Sequence, residues 1–213
     1  MALKYSRKAL TALVGLSCIC AGSFAATTTK QNDAAQIKRG EQSAKGCAAC
    51  HGADGNTANA DLYPNLAGQL PDYIVLQLTN FQSGERPNPV MKSIATPLQQ
   101  QAMHDIAAYF AVKTPRPQAS ADKALEEKGK KVFTSGSLAG APACVACHGQ
   151  QGHGQAPFPR IAAQPAKYTL EQLHVYRDVP NFVNPLAAEM QTVAAKLNED
   201  EMKAVSAYLS TLQ

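Results

Sequence analysis

Two short stretches of the sequence each place two thiols and an imidazole within five residues. They read CAACH at 47–51 and CVACH at 144–148. The candidate side chains are Cys47, Cys50, His51, Cys144, Cys147 and His148. Four kinds of chemistry could use this arrangement: a zinc site, a redox-active dithiol, a structural disulfide, or covalent attachment of a haem.

Three of these alternatives leave part of the pattern unexplained. A structural zinc site needs four converging ligands, and an adjacent Cys50 and His51 would struggle to meet on one small ion. A thioredoxin-like dithiol belongs beside a βαβ pattern, whereas no alternating strand pattern is visible here. A disulfide is compatible with export but gives His51 and His148 no role.

Covalent haem attachment uses every residue of the pattern. Two thiols spaced by two residues can add to the two vinyl groups of one porphyrin. The histidine that follows the second cysteine then lies below the iron. We therefore predict two haem c groups held by the four cysteines, with His51 and His148 as axial ligands of the iron.

The opposite face of each iron needs a ligand or stays open, and methionine is the favoured candidate. Met103 and Met202 lie on the apolar stripe of a terminal helix, which favours a place in the core. Met91 and Met190 each follow a proline-bearing loop that could swing a thioether toward the iron. A thioether paired with imidazole is typical of electron-transfer cytochromes and raises the reduction potential.

Three histidines compete with the methionines for the second axial position. They are His104, His153 and His174. None has a histidine counterpart in the other half of the chain, so surface or capping roles are favoured.

Both motifs belong to an internal repeat. LYPNLAGQ at 62–69 matches PFPRIAAQ at 157–164, and YIVLQL matches YTLEQL. A proline-bearing linker, KTPRPQAS, separates the copies. The predicted domains are residues 26–113 and 122–213, joined by residues 114–121.

Helical periodicity predicts an all-α fold, with a first, a middle and a last helix in each half. The first helices are expected from Asp33 and Asp122, which would act as N-caps. Gly40 and Gly129 lie inside these helices, where glycine is unfavourable by about 1 kcal/mol. A close helix crossing at both positions would explain them.

Residues 1–25 are predicted to be a cleaved signal peptide. Lys4, Arg7 and Lys8 precede a short apolar run, and small residues precede Ala26. An uncleaved N-terminal anchor is the alternative. Without this segment, 17 basic residues stand against 16 acidic ones, so no basic surface for nucleic acid is expected.

With these motifs, each half resembles a class I cytochrome c domain, and the tandem resembles the dihaem cytochrome c4 family. The resemblance covers essentially the whole chain after residue 25. It implies two α-helical domains related by approximate two-fold symmetry, each enclosing one haem. It also implies that the carbonyls of Pro64 and Pro159 accept hydrogen bonds from the axial imidazoles.

The resemblance further implies an electron carrier and not an enzyme. The expected location is the periplasm of a Gram-negative bacterium, with possible loose membrane association, and the expected state is a monomer. The expected partners are a quinol-oxidising membrane complex or another donor, and a terminal oxidase as acceptor. The alternative is a cytochrome subunit of a flavoprotein sulfide dehydrogenase or a thiosulfate dehydrogenase. A peroxidase would need one open haem, and a sensor would need a signalling domain.

The two halves differ before the second candidate methionine. Four additional residues lie within DVPNFVNPLAAEM, between the middle helix and Met190. Because loop packing controls solvent exposure, this insertion predicts unequal haem environments.

Overall fold

The computed structural model describes residues 24–119, 122–179 and 184–213, with side chains from residue 33 onward. Within these ranges the regular structure consists of α-helices, one 3₁₀ turn at Ala44–Gly46 and one isolated bridge between Gln155 and Phe158. The helices are α1 (Phe24–Ser43), α2 (Ala48–His51), α3 (Pro71–Ser83), α4 (Pro89–Ala95), α5 (Gln100–Ala111), α6 (Lys123–Ser135), α7 (Val145–His148), α8 (Ala166–Asp178), α9 (Pro185–Ala194) and α10 (Glu199–Thr211). The predicted all-α fold is confirmed.

The signal-peptide prediction concerns residues that the structure mostly does not describe. The predicted signal peptide, residues 1–25, lies outside the described residues except for its last two positions. Among the described helices, none combines the length and the apolar character that a membrane span requires.

The first and last helices of each half cross closely, α1 on α5 and α6 on α10. Gly40 and Gly129 lie at the two crossings. A methyl group on Gly40 would overlap the carbonyl of Asp105, and one on Gly129 would overlap the carbonyl of Ala204. The expected close crossing is confirmed, and it explains why a poor helix former occupies both sites.

Capping explains where several helices begin. The carboxylate of Asp122 accepts hydrogen bonds of 2.9 Å from the backbone N–H groups of Ala124 and Leu125, as predicted. The prediction that Asp33 is an N-cap is wrong, because α1 begins at Phe24 and runs through it. The preceding segment contains neither glycine nor proline, so no residue there interrupts the helix.

Each half has its own hydrophobic core behind the crossing helices. In the first half, Phe110 and Ala107 of α5 are fully buried, and α3 packs against them through Leu78. In the second half, Phe133 of α6 and Met202 of α10 are fully buried. The same helices therefore build two similar scaffolds.

The two halves meet through a pair of repeat-equivalent glutamines. The side chain of Gln69 accepts a hydrogen bond from the N–H of Arg160 and donates one to its carbonyl, both 2.8 Å long. Gln164 makes the same two bonds with the backbone of Asn65, at 3.1 and 2.7 Å. Because Asn65 and Arg160 are themselves equivalent in the repeat, the contact has the reciprocal character of a two-fold interface.

The segment that joins the halves is bound to both of them. Asn56 donates to the carbonyl of Thr114 at 3.0 Å and accepts from the N–H of Arg116 at 2.7 Å. Two residues further on, the N–H of Gln118 donates to the carbonyl of Ser210 at 2.8 Å. The linker is therefore anchored on the first half and then on the last helix of the second.

Candidate functional site

Each cysteine–histidine motif forms one turn of helix. Cys47 precedes α2, and His51 is its last residue; α7 repeats this arrangement in the second half. Residues three and four positions apart lie on one face of a helix, so Cys47, Cys50 and His51 point to the same side. Gly52 follows at φ 79°, and a side chain there would meet the carbonyl of Asn56.

Both imidazoles are fixed by a backbone carbonyl. Nδ1 of His51 lies 2.9 Å from the carbonyl oxygen of Pro64, and Nδ1 of His148 lies 2.8 Å from that of Pro159. A carbonyl oxygen only accepts, so Nδ1 carries the proton and Nε2 keeps the lone pair that can bind a metal. This is the role that the resemblance implied for both prolines.

The environment keeps these rings neutral. His51 and His148 are buried, with 8% and 6% of their surfaces exposed. Burial lowers the pKa of both imidazoles, and the hydrogen bond to the proline carbonyl partly opposes this effect. A neutral imidazole is the form that ligates a metal.

The first thiol of each motif lacks the lowered pKa of a redox-active nucleophile. Cys47, Cys50, Cys144 and Cys147 are all unpaired and partly exposed. Burial raises the pKa of the Cys47 thiol and raises that of Cys144 to about 11. A thiol with a raised pKa stays protonated at neutral pH, whereas a redox-active dithiol needs a lowered pKa.

The two candidate methionines lie in short helices that begin within the proline-bearing segments. Met91 belongs to α4 and Met190 to α9. The side chain of Asn88 caps α4 by accepting from the N–H of Met91 at 2.9 Å, and Asn184 caps α9 in a similar way. In each case proline occupies the first helical position, where its fixed φ favours helix. The Asn-Pro pairs are the sequence signal that could have identified both helices.

The other sulfur and imidazole candidates lie elsewhere. Met103 and Met202 are buried in the two cores, with 3% and 0% of their surfaces exposed. His174 contacts the carboxylate of Glu199 at 2.9 Å. His153 contacts the carbonyl oxygen of Gln213 at 2.6 Å, and His104 is exposed on α5.

A cavity of 570 Å³ opens beside the second motif. Cys144, Cys147, His148 and Met190 line it together with aliphatic side chains such as Leu173. Its volume lies within the range of about 300 to 1,000 Å³ that is typical of ligand and cofactor sites. Met202, the competing methionine, is not part of its wall.

The first half contributes a cation to this second cavity. Arg86, which follows α3, donates hydrogen bonds to the side-chain oxygens of Gln77 and Gln172 at 2.8 Å and to the hydroxyl of Tyr168 at 3.0 Å. Burial alone would lower the pKa of Arg86, but Tyr168 and Tyr73 outweigh it, and the pKa is raised. The guanidinium is therefore a permanent positive charge at the cavity wall.

A second arginine, Arg160, gives this cavity a donor that a haem could satisfy. Arg160 lines the cavity, and its Nε is buried without a hydrogen-bond partner. Burial lowers the pKa of Arg160. A carboxylate at this wall would satisfy the orphaned donor, and the porphyrin of a haem carries two carboxylates. The thiols, the imidazole, the thioether and this donor together fit the group.

Sequence reasoning missed the residues that connect the halves. Gln69 and Gln164 are identical in the repeat, and this identity was a usable signal for them. No sequence signal indicated the role of Arg86, because its partners come from both halves and only the folded chain brings them together.

Comparison with known proteins gives consistent matches. The family model described as cytochrome c matches residues 126–213. Cytochrome c4 of Thiocapsa roseopersicina is 42% identical over 178 residues, which cover 81% of this chain and 91% of the relative. The thiosulfate dehydrogenase electron acceptor of Stutzerimonas stutzeri (strain A1501) is 36% identical over 174 residues, which cover 79% of this chain and 80% of the relative.

A solved structure agrees over both halves. Reduced recombinant cytochrome c4 from Pseudomonas stutzeri superposes with a TM-score of 0.78 at 34% identity, covering 83% of this chain and 98% of that one. The match confirms the resemblance to tandem cytochrome c domains. The chain therefore belongs to the cytochrome c4 family, and it is an electron-transfer protein with two covalently bound haem c groups, not an enzyme.

Proposed function

We propose that the chain carries single electrons through the periplasm, from a quinol-oxidising membrane complex toward a terminal oxidase. The observation that carries this proposal is the duplicated site. Each half presents a neutral imidazole, held through Nδ1 by a proline carbonyl, beside two thiols on one helical face. Two such sites in one chain suit the acceptance and delivery of one electron at a time.

In this proposal His51 with Met91 would hold the first iron, and His148 with Met190 would hold the second. Met190 lines the same cavity as His148, and Met91 packs against the first core. A bound haem supplies an iron that gains and loses one electron. The protein orients the imidazole, offers a thioether from a capped helix, and excludes water with apolar walls. Neither iron would then have a vacant position for a substrate.

The N-terminal sequence and one relative support the proposed location and partners. A basic flank and an apolar run at the N-terminus favour export, and haem attachment of this type suits the periplasm. The relative named as an electron acceptor of thiosulfate dehydrogenase supports a role in which the protein takes electrons from another protein. We propose a monomer that associates at most loosely with the membrane.

Visible spectra of the holoprotein test the proposal. The protein is produced in a host with c-type cytochrome maturation, and spectra are taken oxidised, reduced, and reduced with carbon monoxide. We expect two low-spin haems per chain that do not bind carbon monoxide. A high-spin component, or carbon monoxide bound to one haem, would contradict closed ligation and indicate a catalytic site.

The proposed direction of flow needs a kinetic test. Membranes that contain an active terminal oxidase should oxidise the reduced holoprotein, and a quinol-oxidising complex should reduce it again. Failure of both reactions, with rapid reduction by thiosulfate dehydrogenase instead, would contradict the proposed route.

A further inference from the structure

We propose that each half tunes the haem of the other half through one glutamine side chain. Gln164 would set the strength of the hydrogen bond that holds His51, and Gln69 would do the same for His148. The inference rests on the proposed role of the two histidines as iron ligands. It makes the interface between the halves part of both redox sites.

One peptide group connects the two halves at each histidine. The carbonyl between Pro64 and Asn65 accepts from Nδ1–H of His51 at 2.9 Å. The N–H of this same peptide group donates to Oε1 of Gln164 at 3.1 Å. A side chain of the second half is therefore two hydrogen bonds away from the imidazole of the first half.

The reverse connection has the same form. The carbonyl between Pro159 and Arg160 accepts from Nδ1–H of His148 at 2.8 Å. The N–H of that peptide group donates to Oε1 of Gln69 at 2.8 Å. Neither glutamine has a comparable link to the histidine of its own half.

Burial lets these bonds act on one another. Asn65 and Gln69 each expose 6% of their surface, Gln164 exposes 8% and Arg160 9%. Consecutive hydrogen bonds in a low-dielectric interior polarise each other, by about 10–30% per bond. A peptide whose N–H is engaged by a glutamine oxygen thus offers a more negative carbonyl to the imidazole.

The sign of the effect follows from the ligand chemistry. A stronger bond from Nδ1–H makes the imidazole a more basic ligand. A more basic ligand favours ferric over ferrous iron and lowers the reduction potential. Gln164 should therefore lower the potential of the haem in the first half, and Gln69 that of the haem in the second half.

The test is Gln164→Met in the holoprotein, because methionine has a similar length but is only a weak acceptor. We expect the reduction equilibrium constant of the first haem to rise about threefold, which is about 28 mV at 59 mV per tenfold change. We expect the potential of the second haem, whose cavity Gln164 also lines, to change less. In ¹⁵N-histidine-labelled ferrous protein, the Nδ1–H signal of His51 should move upfield while that of His148 stays.

The matched control is Gln172→Met, the same substitution on the same half of the interface. Gln172 contacts Arg86 and is not bonded to a peptide group that holds a histidine. The Gln172→Met variant should leave the Nδ1–H signal of His51 unchanged. If Gln164→Met loosens the protein too much to be studied, Gln69→Met provides the reciprocal test, with the His148 signal and the second potential as the expected responders.

Several outcomes would overturn the inference. They are equal shifts at both haems, a shift at the haem of the substituted half alone, or unchanged Nδ1–H signals in both glutamine variants. Failure of the proposed function looks different, because it would appear in the unsubstituted protein as missing low-spin haem or a vacant iron. The two failures are therefore distinguishable.

Discussion

The guanidinium of Arg39 donates two hydrogen bonds, 2.9 and 3.0 Å long, to the carboxylate of Asp105. This pair joins α1 to α5 next to the crossing at Gly40. The side chain of Asp105 is only 5% exposed, whereas that of Arg39 is 53% exposed. Arg39 lowers the pKa of Asp105, and Gln101 contributes in the same direction.

A carboxylate with a lowered pKa stabilises the fold above its unfolded pKa of about 3.9 and loses that contribution as the pH falls through its lower, folded value. We expect Asp105→Asn to reduce the free energy of unfolding by about 1 to 2 kcal/mol at pH 7. The difference from the unsubstituted protein should shrink below pH 4. Denaturant unfolding at pH 7 and pH 3 measures both quantities. Asp61→Asn, at an exposed position, is the control, and a pH-independent difference would contradict the assignment.

Substitution at a helix crossing should also be destabilising. Gly129→Ala places a methyl group against the carbonyl of Ala204, which is backbone and cannot rotate away. We expect a loss of about 1 to 3 kcal/mol from overpacking, although alanine is the better helix former. Gly46→Ala is the matched control, since no atom beyond its chain neighbours and its own helical turn lies within 4 Å of its added methyl. Thermal unfolding of both holoproteins compares them, and equal stability would mean that the crossing is not tight.

Removal of one thioether should affect one haem. We expect Met190→Ala to open or re-ligate the second haem and to lower its reduction potential, because the thioether ligand raises it. Carbon monoxide should then bind to about one haem per chain. Met202→Leu, in the core, should leave both spectra unchanged. If Met190→Ala preserves both potentials, Met190 is not the ligand.

The charge of Arg86 should separate the two potentials. A permanent cation at the wall of the second cavity favours the form of the haem that has gained an electron. We expect Arg86→Gln to lower the reduction equilibrium constant of the second haem by about two- to tenfold and to change the first haem less. Arg116→Gln, at the exposed linker pair with Asp54, controls for general loss of charge. Potentiometric titration with optical detection measures the two reduction potentials. An equal decrease of both potentials would exclude a local effect.

The sequence predicted the parts of the fold that depend on local signals. Helical periodicity and the paired glycines located the crossing helices, and the repeated motif indicated two haem c groups. The start of α1 was missed because neither glycine nor proline lies between Phe24 and Asp33. Helices α4 and α9 were missed because each proline was interpreted as part of a loop, although an asparagine cap precedes it.

The contacts between the halves could not be predicted in the same way. Arg86 acquires its role only when Gln77 and Gln172 face each other across the interface. The partner of each repeat-equivalent glutamine lies more than ninety residues away along the chain. No local pattern encodes such a distance, because it depends on how two finished domains pack.

The anchored linker determines how the two redox sites can communicate. Asn56 holds the connecting segment on the first half, and Ser210 holds it on the second. With residues 114–118 bonded to both halves and the two glutamine pairs closed, we expect little swing of one half against the other. The two haem sites should then stay at a nearly constant separation. Electron exchange between the two bound haems should consequently proceed at the same rate in a viscous solvent as in water.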